Sequence, residues 1–380
     1  MAQQGENALI IVAGAPTTVT NTAIAGIVDE AGKGNNIAEI YGAQNGPGNL
    51  LDGRFVDIGA QKRKVIEGLR RTTGSVLAGR AKELGDGDVA AVLGVLRQHE
   101  IGTVFVVGGL PAVATLRYLD SASKSNNFPL TTLGVPLSAE NEVAIGDHTP
   151  GYGSAARFAA GAARDAGFAA TSGEEPLLVI EYHGKQCGWL AAATALARDE
   201  NRTAPHAILL PEKPVDAEQV VDELRRAYLK YDYVVAVTTA GAKSTDGASL
   251  DGDHLLALLK ERLGLAGRLD RPGTLAQVTL GSLARADGDE AYNIGSLAVR
   301  LGEDGCTGYL MAVQRDAHAD RGDKGYRSLE GTARLDQVPA EARLMPAEYI
   351  SESGTNVTEA FTDWARPLIG GALPEYTALA

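Results

Sequence analysis

Cysteine is nearly missing from this sequence: Cys187 and Cys306 are the two in 380 residues. Two thiols exclude a disulfide scaffold and a cysteine-rich zinc site, and they suit a reducing compartment. Positive charge is also short, with 35 lysines and arginines against 48 aspartates and glutamates, a formal net charge of −13. A nucleic-acid binder usually carries a basic footprint, so no nucleic-acid partner is expected. No uncharged apolar run approaches the ~20 residues of a membrane span. The start, Met-Ala-Gln-Gln-Gly-Glu, lacks the basic beginning of a signal peptide. The expectation is a cytoplasmic protein with no membrane partner. What is abundant is glycine, 46 residues where an ordinary ~7% would supply about 27. The hydrophobic fraction of 44% allows a sizeable core, and at ~100–200 residues per domain the length suits two domains or one large one.

Uniformly apolar runs at residues 9–12, 104–107, 130–135, 177–180 and 233–237 read as buried strands. Helical patterns follow at 23–31, at 112–123 and from about 151. Apolar strands alternating with helices predict an α/β fold, with parallel sheets covered by helices on both faces. Residues 241–252 read as a Gly/Ser/Asp-rich loop, 315–346 as charged and loop-rich, and a boundary falls near 145. In such folds ligands sit at the carboxyl ends of strands, where glycines let backbone N–H groups approach anions. Gly108-Gly109 after the second run, and Thr73-Gly74-Ser75 ahead of Arg80, fit a phosphate or nucleotide site; tight turns alone would also use them.

The run Asp147-His148-Thr149-Pro150-Gly151-Tyr152-Gly153-Ser154-Ala155-Ala156 resembles the segment after the catalytic loop of phosphofructokinases, the pyrophosphate-dependent branch in particular. Further pieces follow in order. Gly14-Ala15-Pro16-Thr17-Thr18-Val19-Thr20-Asn21 resembles the branch's GGPTxVIN phosphate loop, and Thr72–Arg80 its TPGxxLGSxR. Ile180-Glu181-Tyr182-His183-Gly184-Lys185 resembles IExMGR, Leu209-Leu210-Pro211-Glu212 matches LPE, and Asp287-Gly288-Asp289-Glu290-Ala291 resembles TDxxEA. The resemblance implies two Rossmann-like domains with a cleft between them. Residues 1–145 with about 275–335 would bind the phosphoryl donor and about 146–274 the acceptor, while about 336–380 would be a C-terminal extension packing across both. It also implies a phosphorylated small-molecule substrate, ATP or pyrophosphate as donor, magnesium, and a homodimer or homotetramer. Carried over by position, Gly14, Pro16, Thr17, Gly74, Arg80, Gly108 and Gly109 would hold donor phosphates. Ser138, Thr149, Tyr152, Gly184, Lys185 and Glu212 would bind the acceptor, and Glu140, Glu142 and His183 would serve catalysis.

The chemistry departs from the family where it matters most. The metal loop, GGDDS or GGNDS in that branch, reads Gly108-Gly109-Leu110-Pro111-Ala112. It has no acid for a hard cation, which wants oxygen ligands, so magnesium is in doubt. The catalytic loop PKTIDND reads Pro136-Leu137-Ser138-Ala139-Glu140-Asn141-Glu142. Its lysine is gone and both carboxylates are one methylene longer, which leaves Glu140 able to act as a base. MGR has become His183-Gly184-Lys185, and the sugar-phosphate arginine falls on Ala276-Gln277, with Arg271 or Arg285 as gapped substitutes. His148, His183, Glu140 and Glu142 are also a conceivable set of metal ligands. Three readings follow: a divergent phosphotransferase, an enzyme of another reaction class using Glu140, Glu142 and His183, or a non-catalytic metabolite-binding or regulatory member. Retained carboxylates favour the first two, and the altered metal loop favours the last two.

Overall fold

The computed structural model describes residues 6–34, 36–79, 83–171, 174–199, 203–316 and 326–377. In chain order the strands are β1 (Glu6–Val12), β2 (Ile37–Ala43), β3 (Phe55–Asp57), β4 (Ile101–Gly108), β5 (Thr131–Pro136), β6 (Leu177–Tyr182), β7 (Ala207–Ile208), β8 (Val234–Thr239), β9 (Gly267–Asp270), β10 (Tyr309–Arg315) and β11 (Ser328–Arg334). The chain forms two compact units. Met1–Tyr152 and Arg285–Ala342 make the first, and Gly153–Ala284 and Arg343–Ala380 the second.

The first unit carries a seven-stranded sheet in the order β11-β10-β5-β4-β1-β2-β3. Its interior pairs are parallel, and each edge is closed by an antiparallel strand, β3 on β2 and β11 on β10. Leu9–Val12 and Val104–Val107 are fully buried, as continuous apolar strands must be when both faces are covered. The segment expected to be loop-rich, 315–346, instead contains β11, which pairs with β10 from Tyr309↔Arg334 to Arg315↔Ser328. Its sequence, Ser-Leu-Glu-Gly-Thr-Ala-Arg, is polar because an edge strand stays half exposed, and this hid it from an apolar-run criterion. Helices Thr20–Ala31 and Arg285–Glu303 cross at backbone contact. A Cβ on Gly26 would lie 2.2 Å from the Tyr292 carbonyl oxygen, and one on Gly295 2.4 Å from that of Ala23.

The second unit holds an all-parallel sheet in the order β7-β8-β6-β9. Helices Ala217–Tyr231 and Gly252–Leu263 pack their apolar stripes (Val220, Val221 and Leu224; Leu255 and Leu259) into a core with Leu177, Val179, Val234 and Ala236. Each begins at an aspartate, Asp216 or Asp251, whose carboxylate accepts a backbone N–H of the first turn. The loop expected at 241–252 runs from β8 to this second cap. Among the described residues no helix is long and apolar enough to cross a membrane.

Candidate active site

In the first unit, loops at the carboxyl ends of β1, β4 and β5 meet. The Gly14 N–H donates to the Gly79 carbonyl at 3.1 Å, and Leu137 N–H to the Gly108 carbonyl at 3.0 Å. Pro16 is half-buried. Thr17 is buried, and its hydroxyl accepts from Val19 N–H at 3.2 Å and pairs with the Thr20 hydroxyl. Thr17 thus shapes the entry to the helix from Thr20. The buried Asn21 ties this helix to the neighbouring loop, donating to the Thr72 carbonyl at 2.8 Å and accepting from Val76 N–H at 2.9 Å. Gly74 lies within that loop, with open space where a side chain would be. Arg80 lies outside the described residues.

The loop from Pro136 to Gly151 is stitched to itself. Ser138 N–H donates to the Pro150 carbonyl at 2.9 Å, and Glu140 N–H to the Ser138 hydroxyl at 3.1 Å. Thr149 N–H donates to Asn141 Oδ1 at 2.9 Å, and Gly151 N–H to Asp287 Oδ1 at 2.6 Å. Asn141 takes a left-handed backbone, φ +53°, and places Glu140 and Glu142 on either side of the turn. Glu142 Oε1 accepts the Leu110 N–H at 3.2 Å, at the start of helix Leu110–Ser125. This is the partly positive end of a helix. A Cβ on Gly109 would meet Glu142 Oε1 at 2.3 Å, so a side chain there would push the Glu142 carboxylate off its present seat. Burial, and then the neighbouring Glu142 charge, push the Glu140 carboxyl up to about 7. Burial also raises Glu142, against the lowering effect of the Leu110 N–H. Thr149 and Tyr152 are fully buried beside this turn.

His148 is buried at 1% exposure, with Nδ1 3.1 Å from Asp147 Oδ2 and Nε2 2.8 Å from Glu290 Oε2. The Tyr326 hydroxyl donates to Glu290 Oε1 at 2.6 Å, and the Arg315 guanidinium pairs with Asp147 at 3.2 Å. Burial alone would lower the imidazole, but its two carboxylate partners outweigh burial and hold it at about 9. Asp147, which burial alone would raise, is held below its usual range by His148 and Arg315. Both ring nitrogens are engaged, so His148 offers no lone pair to a metal.

The second unit presents its own group at the carboxyl end of β6. His183 and Lys185 are exposed, and among the described residues neither side chain has a partner. Gly184, at φ +133°, accepts the Gly241 N–H through its carbonyl at 3.2 Å. Glu212 Oε1 accepts from Gly188 N–H at 2.9 Å and Met345 N–H at 3.1 Å, while Oε2 is buried with no partner among the described residues. Burial raises the Glu212 carboxyl against those two N–H groups. The Thr239 hydroxyl at the end of β8 is buried and unpartnered in the same way. Arg271 is occupied by ion pairs to Glu181 at 2.9 Å and Asp253 at 2.6 Å. Arg285 belongs to the first unit and is 94% exposed. Asn141, Asp287, Glu290, Arg315 and Tyr326 escaped sequence reasoning as site residues, and His148, considered there as a metal ligand, is instead bonded to Asp147 and Glu290. Asp287 and Glu290 carried a usable signal, two acids three residues apart on one helix face.

The family model described as phosphofructokinase matches residues 7–294. The chain belongs to the phosphofructokinase family. Pyrophosphate–fructose 6-phosphate 1-phosphotransferase of Methylococcus capsulatus is 28% identical over 98% of this chain and 96% of its own length. Sulfofructose kinase of Alkalicoccus urumqiensis is 26% identical over 94% of each. The pyrophosphate-dependent phosphofructokinase of Nitrosospira multiformis superposes with a TM-score of 0.90 at 27% identity, over 98% of this chain and 94% of that one. The α/β fold with parallel sheets, expected from the apolar runs, is that of this phosphofructokinase neighbour.

Magnesium, which the family implies, finds no carboxylate in the loop 108–112 of this phosphofructokinase-family chain. Leu110 and Pro111 stand there, and Glu142 reaches across to the Leu110 amide instead. Among the described residues no three His, Cys, Asp or Glu side chains are grouped to hold a metal ion. The donor set of that loop does not fit a hard cation.

Proposed function

We propose that the chain is a phosphotransferase moving a phosphoryl group from ATP or pyrophosphate to a hydroxyl of a sugar phosphate or related polyol, with Glu140 as the base. The observation that carries this is the Glu140 carboxyl, half-buried at a strand-end loop and held at about 7 by loss of solvent and the neighbouring Glu142, where a general base works best near neutral pH. Glu140 takes the proton of the acceptor hydroxyl as that oxygen attacks the terminal phosphorus. The phosphorus–oxygen bond to the donor breaks, and the remaining phosphate or nucleotide leaves with the bond's electron pair. Gly14, Pro16, Thr17, Gly74, Arg80, Gly108 and Gly109 would cradle the donor. Ser138, Thr149, Tyr152, Gly184, Lys185 and Glu212 would shape and orient the acceptor, with Lys185 supplying positive charge as a point cation rather than a bidentate fork. Leu137, fully buried, stands where the pyrophosphate branch has its selecting lysine, so the donor is left open between the two. Assembly as a homodimer or homotetramer belongs to the same reading.

A second reading has its own support. With Glu142 seated on the Leu110 amide and no acid in the loop before it, Glu140 and His183 would suit acid–base chemistry without phosphoryl transfer. The test is product formation with fructose 6-phosphate and other sugar phosphates, with pyrophosphate or ATP, in magnesium and in EDTA. Turnover that falls ~100-fold or more in Glu140→Gln, the lower end of base contributions, supports phosphotransfer. No turnover with either donor and any acceptor overturns it.

A further inference from the structure

We propose that His148 is a positioning residue for Glu140, acting through the Thr149 amide and the Asn141 side chain; this rests on the reading of Glu140 as the base. The two halves of the 136–151 loop do different work. One half carries the carboxylates Glu140 and Glu142, and the other carries Asp147, His148 and Thr149. The second half is fastened to the body of the first unit by charge. His148, with its nitrogens 3.1 and 2.8 Å from Asp147 and Glu290, is fixed in both position and ring plane. Glu290 sits on helix Arg285–Glu303 and is braced by the Tyr326 hydroxyl, and Asp147 is braced by Arg315 at the end of β10. The same helix supplies Asp287, which accepts the Gly151 N–H at 2.6 Å. Two acids of one helix face therefore hold both ends of a four-residue stretch, His148 to Gly151.

Thr149 is the next residue along, and its N–H is the donor to Asn141 Oδ1 at 2.9 Å. Asn141 is a non-glycine residue in the left-handed region, a conformation unfavourable for most L-residues and less so for asparagine. The bond to Thr149 keeps that turn in place. Glu140 and Glu142 flank the turn, so the backbone that carries both is set by it, and Glu142 is held besides by the Leu110 amide. Displacement of a reacting group by ~1 Å can cost ~100-fold in rate, so His148, which is buried and bonded to carboxylates of its own unit, can govern turnover through the loop it anchors.

The experiment is a double-mutant cycle of His148→Gln and Asn141→Ala, joined to hydrogen–deuterium exchange of the peptide spanning 138–149. Each single variant is expected to lower kcat by ~30–100-fold while the KM values for donor and acceptor move less than about threefold. Acting in series, the double variant should be no slower than about threefold below the slower single. Multiplied losses, or a loss carried by KM, overturn the proposal. His148→Gln leaves two buried carboxylates short of a cation. If it does not fold by circular dichroism, Glu290→Gln takes its place in the cycle, since the amide still accepts a hydrogen bond. Exchange is expected to accelerate in the 138–149 peptide and not in β1 or β4, and an unchanged loop in a folded variant overturns the proposal whatever the activity. Accelerated exchange in a chain whose wild type shows no turnover overturns the base reading instead.

Discussion

Burial holds the Glu140 carboxyl at about 7 rather than 4.5, so ionising this side chain works against folding. The folded pKa is raised above the unfolded one, so the stabilisation is fully present below about pH 4.5 and is lost as pH rises through about 7. The loss is on the order of 3 kcal/mol, from 1.36 kcal/mol per pKa unit. Glu140→Gln carries a permanently neutral side chain of the same shape. It should match the wild type in urea-unfolding free energy near pH 4.5 and exceed it by a few kcal/mol at pH 8. The wild type's kcat/KM should rise across the same interval. Equal stability of the two proteins at pH 8 would show that Glu140 ionises in contact with water. Both glutamates were legible in the sequence as lengthened family aspartates. That Glu142 rests on the Leu110 amide was not, because the contact joins residues 32 apart in the chain through the folded sheet.

Glycine excess is explained at the level of helices as well as loops. Gly26 and Gly295 let helices Thr20–Ala31 and Arg285–Glu303 touch backbone to backbone, and the Ser296 hydroxyl donates to the Gly26 carbonyl at 3.1 Å. A methyl group at Gly26 would meet the Tyr292 carbonyl oxygen at 2.2 Å, and a backbone oxygen cannot swing aside. Gly26→Ala should therefore force the helices apart and cost about 1–3 kcal/mol or more in chemical denaturation. Gly94, in helix Val89–Gln98, has nothing within 4 Å of its missing Cβ. Gly94→Ala should stabilise by about 0.5–1 kcal/mol, the ordinary helix-interior gain. Two helical glycines with opposite signs separate packing from propensity, and sequence cannot tell them apart because the difference lies in what faces each missing Cβ. The same limit explains β11, whose polar residues reveal a strand only through the ladder with β10. The buried β1, β4, β6 and β8 were readable because burial on both faces writes itself as an apolar run.

At the scale of the whole chain, net charge and local charge oppose each other. The formal charge of −13 repels an anionic donor at long range, while the N–H groups of the strand-end loops would act only at short range. Long-range repulsion is screened by salt, since the Debye length falls from about 30 Å at 0.01 M to about 8 Å at 0.15 M. Composition made the net charge legible. The sequence also marked which family cations are missing at Leu137 and Ala276-Gln277, but not that Arg271 is tied to Glu181 and Asp253. That pairing withdraws a cation the sequence left available, so fewer local charges remain to offset the global one. For whichever donor supports turnover, kcat/KM should therefore rise about threefold as potassium chloride is raised from 10 to 150 mM, because steering effects on encounter scale with the unscreened field. Viscosity-matched initial rates at fixed acceptor measure this directly. A fall over the same range would mean that local attraction dominates donor capture and outweighs the acidity of the chain.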